Sequence, residues 1–598
     1  MTLSFARPPA GRLRWLAALT AVTAAAAWLA HSLSGTPLVG YDDANIFFVY
    51  ARNLVDGYGF VYNPGGERVE GFTSLLWVLI CSAARAITPQ FEVLLVTINV
   101  AVVSVALWGL HGFVTDLLVR FAVGDRVRAA ALAAALTIGV ALTPGFIVWN
   151  VVSLMDSGLW SAVFIITTVV VLRPAIDAGR DGTRRALPVL VAVLAVTRPE
   201  ALLLAPALIA ASIVIHGSIG KHVGAAAAFL VTTSALVAWR LSYFGYPLPN
   251  TYYAKAGDPL FARIGTGVAY FFDFALSNPL VPLALVGAIV TAVVIYNRHR
   301  GAPDADTRSL VLVQAGLLPL LAMSVGIPII EGGDHFGFWR MFQPLALLAA
   351  IQVAVSASVV MTAKPTPSPT PAIAVCVVAI LLALVPWRHW AVLNEAEFAS
   401  AGTPRGAWNT PKVEIAIADD MRAIGAAFNQ AFPDEKPSVG VIVAGGFALA
   451  YRGPTIDLMG LNNVAMAHSP GPRSGMRGHA AFHPDVFMSL APDVLLLSLW
   501  SPARDWFGFP MLSGDYAQPA HLVPGYFQRR ATSMEIFDAG IMKGLLLKSQ
   551  AGQRYAWASV RPRAGDRWIH AVFNREFLKR LEERNYEVVL PGAAPRVQ

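Results

Sequence analysis

Cysteine is almost missing from this chain. Cys81 and Cys376 are the only two in 598 residues, and both lie in apolar segments. That excludes a disulfide framework and a cysteine-built zinc site. Charge is also scarce. Only 14% of residues are charged, against about a quarter in soluble domains, while 56% are hydrophobic. With a mean hydropathy of +0.56, the chain reads as an integral membrane protein with many spans. A basic stripe with interleaved aromatics is lacking, so the net charge of +8 does not point to nucleic acid. A phosphate-cradling glycine loop is lacking too. Gly445-Gly446 does not have the spacing of a dinucleotide fingerprint and reads as a turn.

What is present is apolar. Eleven candidate spans cover residues 15–33, 92–118, 129–148, 158–173, 186–197, 201–216, 223–241, 276–296, 309–329, 341–361 and 371–388. Arg7, Arg12 and Arg14 before Trp15–Leu33 give the start the look of a signal peptide, with Ala24–Ala27 as a cleavage region. The length of that stretch and the spans after it favour an uncleaved first helix. With the N-terminus inside, every inside loop carries Arg or Lys: Arg120, Arg126 and Arg128; Arg173, Arg180, Arg184 and Arg185; Lys221; Arg298, Arg300 and Arg308; Lys364. This is the positive-inside pattern. It places the protein in a cell inner or plasma membrane, with the C-terminus outside the cytoplasm.

Two domains follow, residues 1–388 in the membrane and 389–598 outside it. Lys364–Pro371 alternates proline with lysine, threonine and serine and reads as a stiff connector before the last span. From Trp390 onward composition turns soluble. Thr410-Pro411 opens a helical run to about Phe432, with proline suited to the first helical position. Val439–Ala444 and Val494–Leu497 read as buried strands. The expected fold is therefore an α-helical polytopic membrane protein of about eleven spans with a C-terminal α/β soluble domain.

The outside loops hold four polar clusters. The first is Asp42-Asp43, opening an amphipathic run from Ile46 to Leu54 suited to a membrane interface. Capping the helix accounts for one aspartate; the second points to a catalytic carboxylate. Next comes Arg198-Pro199-Glu200, either a structural ion pair at a helix break or a phosphate contact. The third runs from Phe244 to Lys255, with Asn250, Tyr252 and Lys255. It is either an aromatic belt with a snorkelling lysine or a phosphate-neutralising site. The last is Glu331-Gly332-Gly333-Asp334-His335 followed by Arg340, whose guanidinium suits a phosphate. Glu331, Asp334 and His335 are the residues a divalent metal would use, but they fall short of a motif. Unrelated structural polar residues would not sort to one face, so the chemistry belongs at the outer surface.

Residues Asp42-Asp43, Arg52-Asn53-Leu54, Gly57-Tyr58-Gly59, Glu67-Arg68-Val69-Glu70 and Thr73-Ser74, in that order, resemble the GT-C glycosyltransferases, multi-span enzymes that use polyprenyl-phosphate sugars. The finer pattern is most similar to the arabinofuranosyltransferases of mycobacterial-type cell walls that add terminal β-1,2 arabinofuranose. Asn250 with Lys255, Gly332-Gly333-Asp334 with Arg340, and Asp457–Asn463 also look like that group. The resemblance implies transfer of arabinofuranose from decaprenylphosphoryl-arabinose to a glycan or glycolipid acceptor, at the membrane lipid surface. It places the general base at Asp42, with Asp43 orienting it or binding the acceptor. Arg340, Lys255 and Arg198 are the candidates for the donor phosphate. Glu200, Asp334, His335, Tyr252 and Asn250 are the candidates for contacts to the sugars. No cofactor is expected, because arginine and lysine can neutralise a lipid phosphate; a divalent metal is the alternative. Three alternatives remain open. One is another lipid-linked sugar (mannose or aminoarabinose). Another is a polyprenyl-lipid flippase, although no internal repeat is evident. The third is a tethered binding protein using Trp500, Trp506, Phe507 and Phe509.

Overall fold

The computed structural model describes residues 10–590 apart from 124, 178, 180–181, 256–258, 300–303, 335, 363–388, 391–392, 394–409, 471–481, 497–553 and 566–567. The candidate span 371–388, the Lys364–Pro371 connector, His335 and the aromatic group Trp500–Phe509 lie outside the described residues.

Apolar composition becomes a helical bundle because a chain in lipid must satisfy its backbone internally. Among the described residues, seven helices are long and apolar enough to cross a membrane, and a broken pair makes an eighth candidate. The helices that build the bundle are α1 (Ala10–Ser34), α4 (Phe91–Leu118), α5 (Arg126–Ala141), α7 (Ser157–Ile176), α8 (Thr183–Thr197), α9 (Ala201–His216), α10 (Val223–Tyr243), α13 (Leu280–His299), α14 (Ala305–Glu331) and α15 (Gln343–Thr362). Ala201–His216 is apolar but short, so α8 and α9 form a helical hairpin turning at Arg198-Pro199-Glu200. The broken pair is α5 with α6 (Pro144–Ile147) and its π-helical continuation Val148–Val152, bent by 69°. Pro144, at the start of α6, has no N–H to continue the α5 ladder.

Shorter helices lie between the spans among the described residues. α2 (Asp42–Val55) and α3 (Leu75–Ile87) fill the first long loop, and α12 (Leu260–Ser277) sits where the sequence suggested only loop. Asn278-Pro279 ends α12 ahead of the span that starts at Leu280. Phe261, Phe272 and Leu276 on α12 are exposed, while its other face packs on α14. The short α11 (Asn250–Lys255) precedes it. α2 departs from expectation. It does not lie on a membrane surface, since Ala44 through Asn53 are buried between α3 and the C-terminal domain. Its N-cap is Tyr41, and neither aspartate caps it. The apolar side of α2 is wide enough to be core on both faces.

Among the described residues, the C-terminal domain holds a six-stranded mixed sheet of order β2-β1-β3-β5-β4-β6. β1 (Val439–Val441) runs parallel to β2 (Thr455–Asp457) and β3 (Val494–Leu496). β4 (Tyr555–Pro562), β5 (Ile569–Asn574) and β6 (Tyr586–Val589) pair antiparallel. Two of these strands and the helix α16 (Pro411–Ala431) fall where the apolar runs placed them. A second helix, α17 (Gly446–Ala450), follows β1.

The domain docks on the first loop, on Asn250 and on Glu92 through polar side chains that reach across the joint. Arg52 donates to the Ala448 and Leu449 carbonyls at 2.9 and 2.7 Å. Asn250 donates to those of Gly460 and Leu461 at 2.8 and 3.0 Å. Arg422 on α16 reaches Asn45 at 2.7 Å and Glu92 at 2.9 Å. Behind them, Glu70 and Arg240 form a buried pair at 2.9 Å.

Gly445 lies so close to α2 that a Cβ there would stand 1.9 Å from the Asp42 carbonyl oxygen. Gly445→Ala is therefore expected to destabilise the docked form by about 1–3 kcal/mol or more. Gly109→Ala, where a Cβ meets nothing within 4 Å, is expected to be neutral. Thermal unfolding of the two solubilised variants checks the contrast.

Candidate functional site

The polar clusters of four separate loops meet at one end of the bundle. The chain reaches that point through two unusual turns. After the π-helical Val148–Val152, Leu154 adopts φ +57° and delivers Asp156 to the start of α7. After α14, Gly332 and Gly333 are left-handed, and so are Phe338 (φ +61°) and Trp339 (φ +49°) immediately before Arg340. Non-glycine residues in that region carry strain and persist only when their surroundings fix them. Gln343 does so here, donating to the Phe338 and Trp339 carbonyls at 2.7 and 3.1 Å. Gly145 packs against the Phe338 carbonyl.

Arg340 is the hub. Its guanidinium pairs with Asp334 at 2.6 Å and with Asp43 at 3.5 Å. It also lies 4.8 Å from the Phe336 ring centre and 5.5 Å from that of Trp149, a cation–π setting. Beside it, Arg198 bonds Asp156 at 3.1 Å and Glu200 at 2.8 Å. Burial alone would lower the Arg198 pKa, but the two carboxylates override it and raise it. Asp156, 1% exposed, is pushed up by burial against the pull of Arg198. Asp156 is the member of this set that the sequence reading missed. Its only signal was an acid between two apolar helices, which the Arg198 charge makes tolerable.

The expected residues divide. Asp43, Arg340, Asp334, Arg198 and Glu200 come together. Lys255 and Tyr252 stand at the exposed rim; Tyr252 is 56% exposed and 5.5 Å from the Tyr253 ring, and the charge of Lys255 reaches Glu331. Asn250 is buried, and its amide N–H groups donate to the 460–463 backbone, so it joins the two domains. Among the described residues, no group of three or more His, Cys, Asp or Glu side chains could hold a metal ion.

Asp42 faces the other domain. Its two oxygens accept the backbone N–H groups of Gly445 and Gly446 at 2.8 and 2.7 Å, and it is 7% exposed. Asp43, one residue on, is about a fifth exposed and turns to Arg340. Successive helical residues point about 100° apart, so the adjacent carboxylates face different partners. The Gly-Gly pair that reads as a turn in sequence is a carboxylate receptor in three dimensions.

No family model and no curated protein matches the sequence. Among solved structures the chain is similar to the Archaeoglobus fulgidus oligosaccharyltransferase. The crystal structure of its complex with zinc and sulfate gives 13% identity and a TM-score of 0.38, with 73% of this chain and 62% of that chain covered. The apo form gives 12% identity and 0.39, with 73% and 64% covered. This chain thus spans less than two thirds of that enzyme's length. At TM-scores below 0.5 the likeness is loose, and no residue is carried across.

Burial pushes the Asp42 carboxyl up to about 7, against the two glycine N–H bonds that pull it down. The folded state therefore holds this proton between about pH 4 and pH 7, where the unfolded chain has lost it. Its contribution to stability is full below about pH 4, is lost as pH rises to about 7, and stays flat above. The stability of the native protein relative to Asp42→Asn is expected to fall across that window, by at most about 1.4 kcal/mol per pH unit. Thermal unfolding of both proteins at pH 5, 6, 7 and 8 measures it.

Proposed function

We propose that this chain is a membrane glycosyltransferase of the GT-C type that takes a sugar from a polyprenyl-phosphate donor. The resemblance of its first loop indicates arabinofuranose from decaprenylphosphoryl-arabinose, passed to a glycan or glycolipid acceptor on the extracytoplasmic side. The observation that carries this reading is the pairing of Asp43 with Arg340 at 3.5 Å. A partly exposed carboxylate and a ring-flanked guanidinium, held by separate loops, stand side by side at the end of a membrane bundle.

That pair suits glycosyl transfer from a lipid phosphate. The acceptor hydroxyl gives its proton to the Asp43 carboxylate as its oxygen bonds the anomeric carbon. The bond from that carbon to the phosphate oxygen breaks, and its electron pair leaves with the phosphate. Arg340 neutralises the charge that develops there, and Lys255 at the rim meets the phosphate as it enters from the lipid. Attack opposite the leaving group inverts the anomeric centre. The base is assigned to Asp43 and not to Asp42, because both Asp42 oxygens are already engaged by backbone N–H groups. Asp42 then positions the helix that carries the base. Arg198, held by Asp156 and Glu200, shapes the pocket wall beside Arg340, and Asp334 orients Arg340.

A positioned base contributes roughly 10²- to 10⁴-fold. Asp43→Asn is expected to lower kcat by that factor without changing the unfolding temperature. Arg340→Lys, which loses the planar fork, is expected to lower kcat/KM for the donor. The assay is transfer from decaprenylphosphoryl-arabinose to a short arabinan by the purified protein. Full activity of Asp43→Asn together with loss in a stably folded Asp42→Asn would return the base to Asp42. Transfer from a nucleotide sugar would overturn the donor class.

A further inference from the structure

Tyr41 precedes the acidic pair and is fixed at every backbone atom that can bond. Gly40 before it is left-handed (φ +71°), with the Ser153 carbonyl oxygen 3.0 Å from where a Cβ would sit. The Tyr41 N–H donates to that same carbonyl at 3.1 Å. The Tyr41 carbonyl accepts from the Asn45 side chain at 2.7 Å and the Asn45 N–H at 3.2 Å. Its ring stands edge-on to Trp149 at 4.8 Å and lies 5.9 Å from Phe336. Those are the two rings beside the Arg340 guanidinium.

The residue is 1% exposed, and its hydroxyl has no hydrogen-bond partner among the described residues. Arg340 Nε, buried in the same aromatic setting, has none either. The charge of Glu414 on α16 is felt at Tyr41, but no bond joins them. A phenol with no partner is disfavoured over phenylalanine in such a place. A guanidinium N–H can only donate, so Nε cannot satisfy the hydroxyl's own proton. An anionic oxygen satisfies both.

We propose that the Tyr41 hydroxyl, together with Arg340 Nε, binds the phosphate of the lipid-linked donor. This rests on the transferase reading above and adds a residue to it that carries no charge and no sequence motif. Burial raises the Tyr41 pKa well above that of a free phenol, and Arg340 lowers it only in part. The group therefore keeps its proton and acts as a hydrogen-bond donor. During transfer the acceptor proton goes to Asp43 and the leaving electron pair to the phosphate. Tyr41 holds the phosphate oxygen as its charge grows and exchanges no proton with it.

The test uses the full chain in lipid nanodiscs, native and as Tyr41→Phe, Tyr41→Met and Asp43→Asn. Decaprenyl phosphate is the binding probe, and transfer from decaprenylphosphoryl-arabinose to arabinan is the activity. A hydrogen bond to a charged group corresponds to roughly 10- to 100-fold. Tyr41→Phe is expected to weaken decaprenyl phosphate binding by roughly tenfold or more and to lower kcat by up to about 100-fold. Its unfolding temperature and its KM for the acceptor should not change. Tyr41→Met, which also lacks the hydroxyl, should lose binding alike. Native affinity and turnover in Tyr41→Phe would overturn the proposal, as would a change confined to the acceptor KM. Native protein that binds decaprenyl phosphate through Tyr41 but transfers no sugar would leave the phosphate site standing and overturn the transferase reading.

Discussion

The Asp42 carboxylate, seated on the N–H groups of Gly445 and Gly446, is the contact on which the site depends. It joins residues about 400 positions apart and is made by neither domain alone. A buried carboxylate is tolerated only when its oxygens are bonded, and here the partners are backbone groups of the other domain. Gly445 must be glycine for the approach to occur, because any side chain would meet the backbone of α2. With Asp42 held, the first turn of α2 has one rotational setting. That setting turns Asp43 toward Arg340.

The same logic recurs across the interface. Arg52, Asn63, Asn250 and Arg422 all reach backbone or amide groups of the opposite domain. Such contacts fix register without requiring complementary surface charge, and several polar bonds of this kind make a rigid joint. The C-terminal domain thus acts as a brace for α2, the helix that carries Asp42 and Asp43.

The charged groups beneath the brace are arranged at some energetic cost. Arg340, Asp334, Arg198, Asp156 and Glu200 are all largely buried, and each is offset by an opposite charge within bonding distance. The strained turn at Phe338-Trp339 and the broken helix at Pro144 bring these groups together. Among the described residues, the Tyr41 hydroxyl and Arg340 Nε are two of the buried donors left without a partner at this end of the bundle.

The membrane class, most of the spans, the turn from apolar to soluble composition, and β1, β3 and α16 were legible in the residues. So was the sorting of polar clusters to one end, because apolar length and loop charge are local properties that lipid enforces along the chain. The division of labour within Asp42-Asp43 was not. Two identical neighbours differ only in the direction they face, and that direction is set by Gly445 and Gly446 in a domain far along the chain. That Asn250 bonds the 460–463 backbone was hidden for the same reason. Asp156 and Tyr41 carried no motif at all, since their meaning comes from Arg198 and Arg340, which only the folded bundle brings beside them. Sequence determined which segments could enter the membrane and which end would be polar. Tertiary structure decided which polar atoms are spent on holding the domains together and which remain for a substrate, because that depends on partners distant in the chain.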